Sequence, residues 1–159
     1  MIQIGNQTAF SAATPIEPFE YAIANGFDAF EWFPDKKPTG AGWDASDLDE
    51  SLRRNIRETG LARGMRLSVH ARWQANPLQP DSYPGLLKDL ELAQALGAAL
   101  LNIHFYGEAG VGTYVEAIAP LVRCTAEAAL QLEQATGVED DVQDLSHVVD
   151  LGARFGQDF

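Results

Sequence analysis

The sequence has one cysteine, few basic residues and no long apolar run. A single cysteine, Cys124, cannot form an internal disulfide, and its apolar neighbours at helical spacing predict a buried structural thiol. The 11 Lys and Arg stand against 23 Asp and Glu, a net charge of −12 that repels nucleic acid and anionic membranes. No window approaches the roughly 18 consecutive apolar residues of a membrane span, and no amino-terminal stretch resembles a secretion signal. We therefore expect a soluble, cytoplasmic protein that binds neither nucleic acid nor membrane.

The arrangement of apolar residues predicts an α/β fold. A chain of 159 residues with 46% hydrophobic content can bury one sizeable core, so a single domain over residues 1–159 is expected. Short apolar runs alternate with longer segments of helical period, which is typical of βα units feeding a parallel sheet. The predicted strands are residues 2–6, 27–33, 66–71 and 99–105. Residues 113–135 are predicted to be mainly helical, with Pro120 breaking or restarting the helix.

Glycine and proline mark the ends of the helices between these strands. Gly26 is predicted to end the first helix, and either Gly60 or Gly64 the second. Pro84 opens the third helix and Gly97 ends it. The apolar face of the third helix is marked by the spacing of Leu86, Leu90 and Ala93.

Two long loops, residues 34–47 and 72–83, follow predicted strands two and three. Structureless loops of this length are usually functional rather than merely connecting. In parallel α/β folds the site lies at the carboxyl ends of the strands, where these loops begin. The sequence therefore predicts one working face.

Two predicted strands end with a histidine at the same relative place, in Ser-Val-His70 and Asn-Ile-His104. Adjacent parallel strands would bring both imidazoles to one rim, where they suit a metal or a substrate. A single such histidine would more simply be a hydrogen-bonded structural residue, but the matched pair favours a site. A catalytic metal usually needs three protein ligands, so two histidines alone are insufficient.

Polar side chains on the other strands are further candidates. Glu31, near the end of strand two, is either a general base or hydroxyl ligand, or a solvated strand-end charge. Asn6 ends strand one and could contact substrate or orient a neighbour. Asn102 could also orient a neighbour, although core hydrogen bonding explains it equally well.

The three tryptophans, Trp32, Trp43 and Trp73, all fall at or just beyond the carboxyl ends of predicted strands. Such rings commonly stack on the faces of sugars, so they are candidate substrate-binding residues. They also serve as ordinary hydrophobic cover for the mouth of a barrel, and this interpretation is slightly favoured.

Three segments carry a resemblance to a known family: GFDAFE at residues 26–31, LSVHA at 67–71 and LNIH at 101–104. Together they resemble the xylose isomerase-like TIM-barrel superfamily over roughly residues 2–136. This superfamily contains sugar isomerases and epimerases, inosose dehydratases and endonuclease IV, all divalent-metal enzymes on a (β/α)8 barrel. The resemblance implies a metal role for His70 and His104, as in the endonuclease branch. In the epimerase branch these positions lie beside the substrate.

The resemblance also implies ligands that this sequence lacks. The family's metal site adds carboxylates and histidines from strands five to eight, and a complete barrel needs about 250 residues. Here strand five is predicted to be missing near residues 136–140, and strands six to eight to be absent. Residues 141–155 resemble the helix after strand five, and His147 within it is predicted to be structural. The expectation is a partial (β/α) barrel of about four βα units plus a carboxyl-terminal helix.

This expectation bears on cofactor and partners. A divalent ion (Zn, Mn, Mg or Co) would be held weakly by this chain alone. An open sheet edge predicts self-association or a barrel-completing chain.

The leading function is a metal-dependent sugar or sugar-phosphate isomerase or epimerase, or the amino-terminal portion of one. Alternatives are a catalytically silent half-barrel that binds a polyol or a protein partner, and an endonuclease IV-like phosphodiesterase, which the net charge disfavours.

Overall fold

The computed structural model describes residues 3–34 and 36–136, with side chains in the last helix up to residue 124. The strands are β1 (Gly5–Gln7), β2 (Ala29–Trp32), β3 (Arg66–His70) and β4 (Leu100–Asn102). The α-helices are α1 (Glu17–Ala24), α2 (Glu50–Arg63), α3 (Tyr83–Leu96) and α4 (Val111–Thr136). The chain divides between Tyr106 and Gly107 into two compact units. The first unit contains all four strands with α1, α2 and α3, and the second contains α4.

The four strands form one parallel sheet in the order β1-β2-β3-β4. Each strand is followed along the chain by an α-helix, so the predicted βα alternation is confirmed. The strands are shorter than the apolar runs predicted: the fourth run covers residues 99–105, but only Leu100–Asn102 is strand. Apolar character marks what is buried near the sheet, whereas a strand ends where its ladder of backbone hydrogen bonds ends.

The hydrophobic core lies on the helix-covered face of the sheet. Phe30 and Trp32 of β2 are 1% and 0% exposed, and Glu31 between them points to the other face. The Trp32 ring lies 5.5 Å from the ring of Phe19 in α1 and 5.6 Å from that of Trp43 in the β2–α2 loop. Alternation along β2 thus separates an aromatic core from a polar face.

The helices end where the sequence predicts. Gly64 and Gly97 terminate α2 and α3 with φ of 62° and 67°, the left-handed conformation that glycine adopts without strain. Gly60 lies inside α2, so Gly64 is the correct alternative. A Cβ added to Gly60 would lie 3.0 Å from Cδ1 of Leu67, which shows that Gly60 permits close approach of α2 to β3.

Helix α4 differs from expectation at two positions. Pro120 lies inside the helix, and α4 continues through it without a break. A proline removes one backbone hydrogen bond and bends a helix, but the remaining bonds can sustain it on both sides. Cys124 is exposed, so its predicted burial is wrong. Helical spacing gives the face on which a residue lies, but not whether that face is covered.

Some expectations lie outside the described residues, namely the missing strand five near residues 136–140, the helix at 141–155 and His147. Within the part of the chain that is described, no helix has the length and apolar character needed to cross a membrane.

The loop between β2 and α2 is internally structured. Asp44 caps a 3₁₀ helix at Ala45–Asp47, because its carboxylate accepts hydrogen bonds from the amide and the hydroxyl of Ser46 at 2.8 and 2.5 Å. The Asp47 carboxylate accepts from the Asp44 amide at 2.8 Å and from the Lys36 ammonium at 2.9 Å. These contacts give this loop a defined conformation.

The Asp44 cap should give the protein an acid-sensitive contribution to stability. The hydrogen bond from the Ser46 hydroxyl lowers the pKa of Asp44, against the opposing effect of partial burial. The contribution is therefore complete above the unfolded pKa, near pH 4, and is lost as pH falls through the lower folded value. Asp44→Ala should lower the free energy of unfolding by about 1 kcal/mol at pH 7, measured by urea denaturation.

Two controls isolate this effect. Asp44→Asn keeps an acceptor but cannot titrate, so it should be more stable than Asp44→Ala at pH 7. The difference between wild type and Asp44→Ala should shrink at pH 3. A difference that stays constant from pH 7 to pH 3 would contradict a role for the ionised carboxylate.

Candidate functional site

Four polar side chains lie together on the face of the sheet opposite the core. Glu31 of β2 pairs in register with Ser68 of β3, and His70 of β3 pairs with Asn102 of β4. In parallel strands, residues paired in register point to the same side. Leu67 and Val69 of β3 are buried on the helix side, which leaves Ser68 and His70 on the face of Glu31.

The Glu31 carboxylate is held on one oxygen. Its Oε2 accepts a hydrogen bond from Nδ2 of Asn102 at 2.6 Å and lies 3.3 Å from the hydroxyl of Ser68. A carboxylate only accepts hydrogen bonds when ionised, so the amide must donate through its nitrogen. A short bond from an amide to a charged acceptor is stronger than a neutral hydrogen bond. Glu31 is therefore an ordered, partly buried carboxylate.

The two imidazoles that the sequence pairs are brought together. The rings of His70 and His104 lie 4.7 Å apart between centroids, edge to face, and Phe33 packs against His70 at 4.7 Å. Nδ1 of His70 lies 3.0 Å from the carbonyl oxygen of Ala71. That carbonyl only accepts, so this contact assigns the proton to Nδ1 and leaves Nε2 as an acceptor when the ring is neutral.

An open pocket of about 560 Å³ adjoins this polar face. Its lining combines Glu31 and His70 with the last residue of β1 and residues that follow β1 and β2. The other lining residues are Gln7, Thr8, Ala9, Phe10, Ser11 and Phe33. The rings of Phe10 and Phe33 lie 6.0 Å apart and give the pocket an apolar wall. Its mixture of carboxylate, hydroxyl, amide and aromatic groups suits a small polyhydroxylated ligand.

The tryptophans occupy different places from one another. Trp32 and Trp43 belong to the core, at 0% and 3% exposure, and neither lines the pocket. Their indole N–H groups are buried without a hydrogen-bond partner among the described residues. Trp73 follows β3 and is 55% exposed. Phe10 and Phe33, which sequence reasoning missed, supply the aromatic surface of the pocket.

Asn6 lies apart from Glu31. It pairs in register with Phe30, whose side chain is in the core, and its Oδ1 accepts from the amide of Gln7 at 2.9 Å. The β1 residue in register with Glu31 is Gln7, which lines the pocket. A shift of one residue along a strand exchanges its two faces, and the apolar pattern of β1 is too short to fix this register in advance.

A buried ion pair anchors the chain just after β3. Asp89 of α3 is 0% exposed, and its Oδ1 lies 2.6 Å from Nη2 of Arg72. Its Oδ2 accepts from the Arg72 amide and from Nε, each at 3.1 Å. The pair thus joins α3 to the segment that begins two residues after His70. A signal was available in the sequence, because Asp89 interrupts the apolar face formed by Leu86 and Leu90.

Tyr106 joins the segments that follow β3 and β4. Its hydroxyl donates a hydrogen bond to the carbonyl oxygen of Trp73, and its ring lies 6.4 Å from that of His104. Burial raises the pKa of Tyr106, so its hydroxyl remains a donor at neutral pH. This contact helps to define the position of the chain beyond His104.

The described residues do not by themselves fit a divalent metal. Within residues 3–34 and 36–136, no group of three His, Cys, Asp or Glu side chains is placed to hold an ion. His70 and His104 offer two imidazoles of the right ligand type. A catalytic centre of this kind uses three protein ligands with an open position. We therefore derive no chemical step through a metal.

The fold and the position of the site define a class of protein. A parallel sheet with a helix after each strand, and polar side chains gathered near the carboxyl ends of β2, β3 and β4, is the arrangement of a partial (β/α) barrel.

A comparison with solved structures agrees. The chain is similar to the crystal structure of D-psicose 3-epimerase in the presence of D-fructose, with a TM-score of 0.54 and 14% sequence identity. The match covers 80% of this chain and 50% of that chain, so this chain spans about half the length of the epimerase. No family model matches the sequence, and no curated protein matches it. At this identity the likeness shows the fold, and it confirms the predicted partial barrel.

Proposed function

We propose that this chain binds a sugar or a sugar phosphate near the carboxyl ends of its strands and contributes to isomerase or epimerase chemistry there. The observation that carries the proposal is the position of Glu31. Its carboxylate is ordered by Asn102 and borders an open pocket that His70 also lines. The likeness to an epimerase fold supports the class of reaction by analogy.

The pocket residues have complementary roles in this proposal. Isomerisation and epimerisation move a proton at a carbon beside a carbonyl, and a carboxylate within hydrogen-bond reach can accept that proton. Oε1 of Glu31 would accept this proton, or would accept a hydrogen bond from a substrate hydroxyl. In its neutral form the His70 ring would accept a hydrogen bond from a sugar hydroxyl on Nε2, while Phe10 and Phe33 would contact the C–H face of the sugar.

We propose separately that the reaction depends on a divalent metal ion. His70 and His104 would supply two imidazole ligands, and further ligands would come from outside the described residues. Coverage of the sheet edges by a second copy or a barrel-completing chain is likewise proposed. The metal content of the purified protein after dialysis against zinc or manganese would test metal binding. Its native mass would test association with a second copy or another chain.

Replacing the central carboxylate tests the sugar site directly. Glu31→Gln should weaken binding of D-fructose at least about tenfold, because a hydrogen bond to a charged group contributes about 1.5–3 kcal/mol. Isothermal titration calorimetry gives the affinity. Glu58→Gln removes an exposed carboxylate on α2 and should leave it unchanged. Equal affinities in all three proteins, or no binding of D-fructose or a sugar phosphate by wild type, would contradict the proposal.

The same protein separates the rival functions. Stoichiometric metal together with aldose–ketose interconversion or epimerisation would identify an enzyme. Sugar binding with neither metal nor turnover would identify a silent half-barrel. Cleavage of a duplex that contains an abasic site would identify a phosphodiesterase and overturn the sugar proposal.

A further inference from the structure

Asn102 and Glu31 make contact across an intervening strand. Asn102 belongs to β4 and Glu31 to β2, with β3 between them. Neighbouring strands lie about 4.8 Å apart, so side chains two strands apart must span about 10 Å. The Nδ2 of Asn102 nevertheless lies 2.6 Å from Oε2 of Glu31.

The small side chain of Ser68 makes this contact possible. Ser68 is the β3 residue in register with Glu31, and it lies on the same face. A larger side chain at position 68 would occupy the space between the amide and the carboxylate. Ser68 also places its hydroxyl 3.3 Å from the same Oε2. Within the described residues, both hydrogen bonds to the Glu31 carboxylate therefore go to one oxygen.

We infer that Asn102 is a positioning residue, which reaches over Ser68 to hold Oε2 of Glu31 and so directs Oε1 toward the pocket. The consequence for ligand affinity rests on the proposed function, but the orientation of the carboxylate does not. A glutamate side chain has several rotamers, and fixing one of them before a ligand arrives removes an entropic cost of binding. Asn102 would thus act on the sugar through Glu31 without contacting it.

The side-chain amide of Asn102 reports its hydrogen bond independently of any ligand. In wild type, its ¹H–¹⁵N resonances should show a proton shifted downfield by donation to a carboxylate, and Asn102→Ala assigns them. Glu31→Ala should remove the shift. Ser68→Leu should remove it by blocking the path, whereas Ser68→Ala keeps the space open and should preserve it. A resonance unchanged by both Glu31→Ala and Ser68→Leu would overturn the inference.

A double-mutant cycle on D-fructose affinity tests the positioning role. Asn102→Ala should weaken binding about 5- to 10-fold in the wild-type background. It should have no effect in a Glu31→Ala background, since the carboxylate it positions is gone. Equal losses in both backgrounds would show that Asn102 acts on the ligand or the fold by another route and would overturn the inference.

The outcomes keep this inference separate from the proposed function. If wild type binds no D-fructose, the proposed function fails, and the amide shift alone decides whether Asn102 orients Glu31. If Asn102→Ala does not fold, the Ser68→Leu and Ser68→Ala pair supplies the same comparison. Ser68→Leu should then weaken D-fructose binding more than Ser68→Ala, which loses only the 3.3 Å hydroxyl contact and leaves the path of Asn102 open. Equal affinities of the two variants would overturn the inference.

Discussion

Asp89→Ala is expected to lower the free energy of unfolding by about 3 kcal/mol, the low end of the range for breaking a buried ion pair. The carboxylate is fully buried and accepts from the guanidinium and the amide of Arg72. Its removal leaves that cation without its buried partner. The Arg72 side chain is 26% exposed, so water recovers part of the loss and holds the effect to the lower end.

Two controls distinguish the ion pair from general damage to α3. Glu91→Ala removes an exposed carboxylate from the same helix and should change stability by less than about 0.5 kcal/mol. Asp89→Asn keeps the shape and should fall between wild type and Asp89→Ala. Chemical denaturation at pH 7 gives the three values. Similar losses from Asp89→Ala and Glu91→Ala would contradict the stabilising role of the pair.

The Asp89 contact also bears on the site. Arg72 follows Ala71, whose carbonyl oxygen faces Nδ1 of His70. Loss of the ion pair should therefore loosen the segment whose Ala71 carbonyl oxygen accepts the hydrogen bond from Nδ1 of His70. If the proposed sugar site is correct, Asp89→Ala should also weaken its affinity for D-fructose, since the same backbone supports His70.

Local chemistry explains why much of the fold was predictable. The third βα unit has a strand with alternating burial, a proline in the first turn of α3 and a glycine at its end. Each signal is set by neighbours in sequence, because glycine adopts a left-handed cap without strain and proline is favoured in the first turn of a helix. Pro84 and Gly97 therefore predict the two ends of α3 closely.

The candidate site was less predictable because its contacts are long-range. His70 and His104 could be paired from their matching places at strand ends, since adjacent parallel strands end at one rim. Trp43 could not be placed, because its burial depends on a loop that folds back onto Trp32. The bond between Asn102 and Glu31 spans 71 residues and a whole strand, and no local pattern encodes it.

Position 90 provides the sharpest contrast between folding and function. Leu90 of α3 is 4% exposed, so Leu90→Asp places a charge at a position that is almost fully buried. Such a burial costs several kcal/mol, a large part of the about 5–15 kcal/mol that stabilises a domain. We expect Leu90→Asp to abolish cooperative unfolding in circular dichroism melts.

His70→Ala should leave folding largely intact and weaken the proposed sugar binding instead. His70 contacts the rings of Phe33 and His104 at the edge of the pocket, and its partial exposure limits the apolar contact that is lost. The matched control is Leu87→Asp, one turn before Leu90, where the leucine is 37% exposed and water can reach the new charge. The melting temperatures of His70→Ala and Leu87→Asp should be similar. D-fructose affinity should fall in His70→Ala and persist in Leu87→Asp. If His70→Ala instead unfolds as completely as Leu90→Asp, then His70 supports the structure of the barrel, and the proposed sugar site must be built on Glu31 without it.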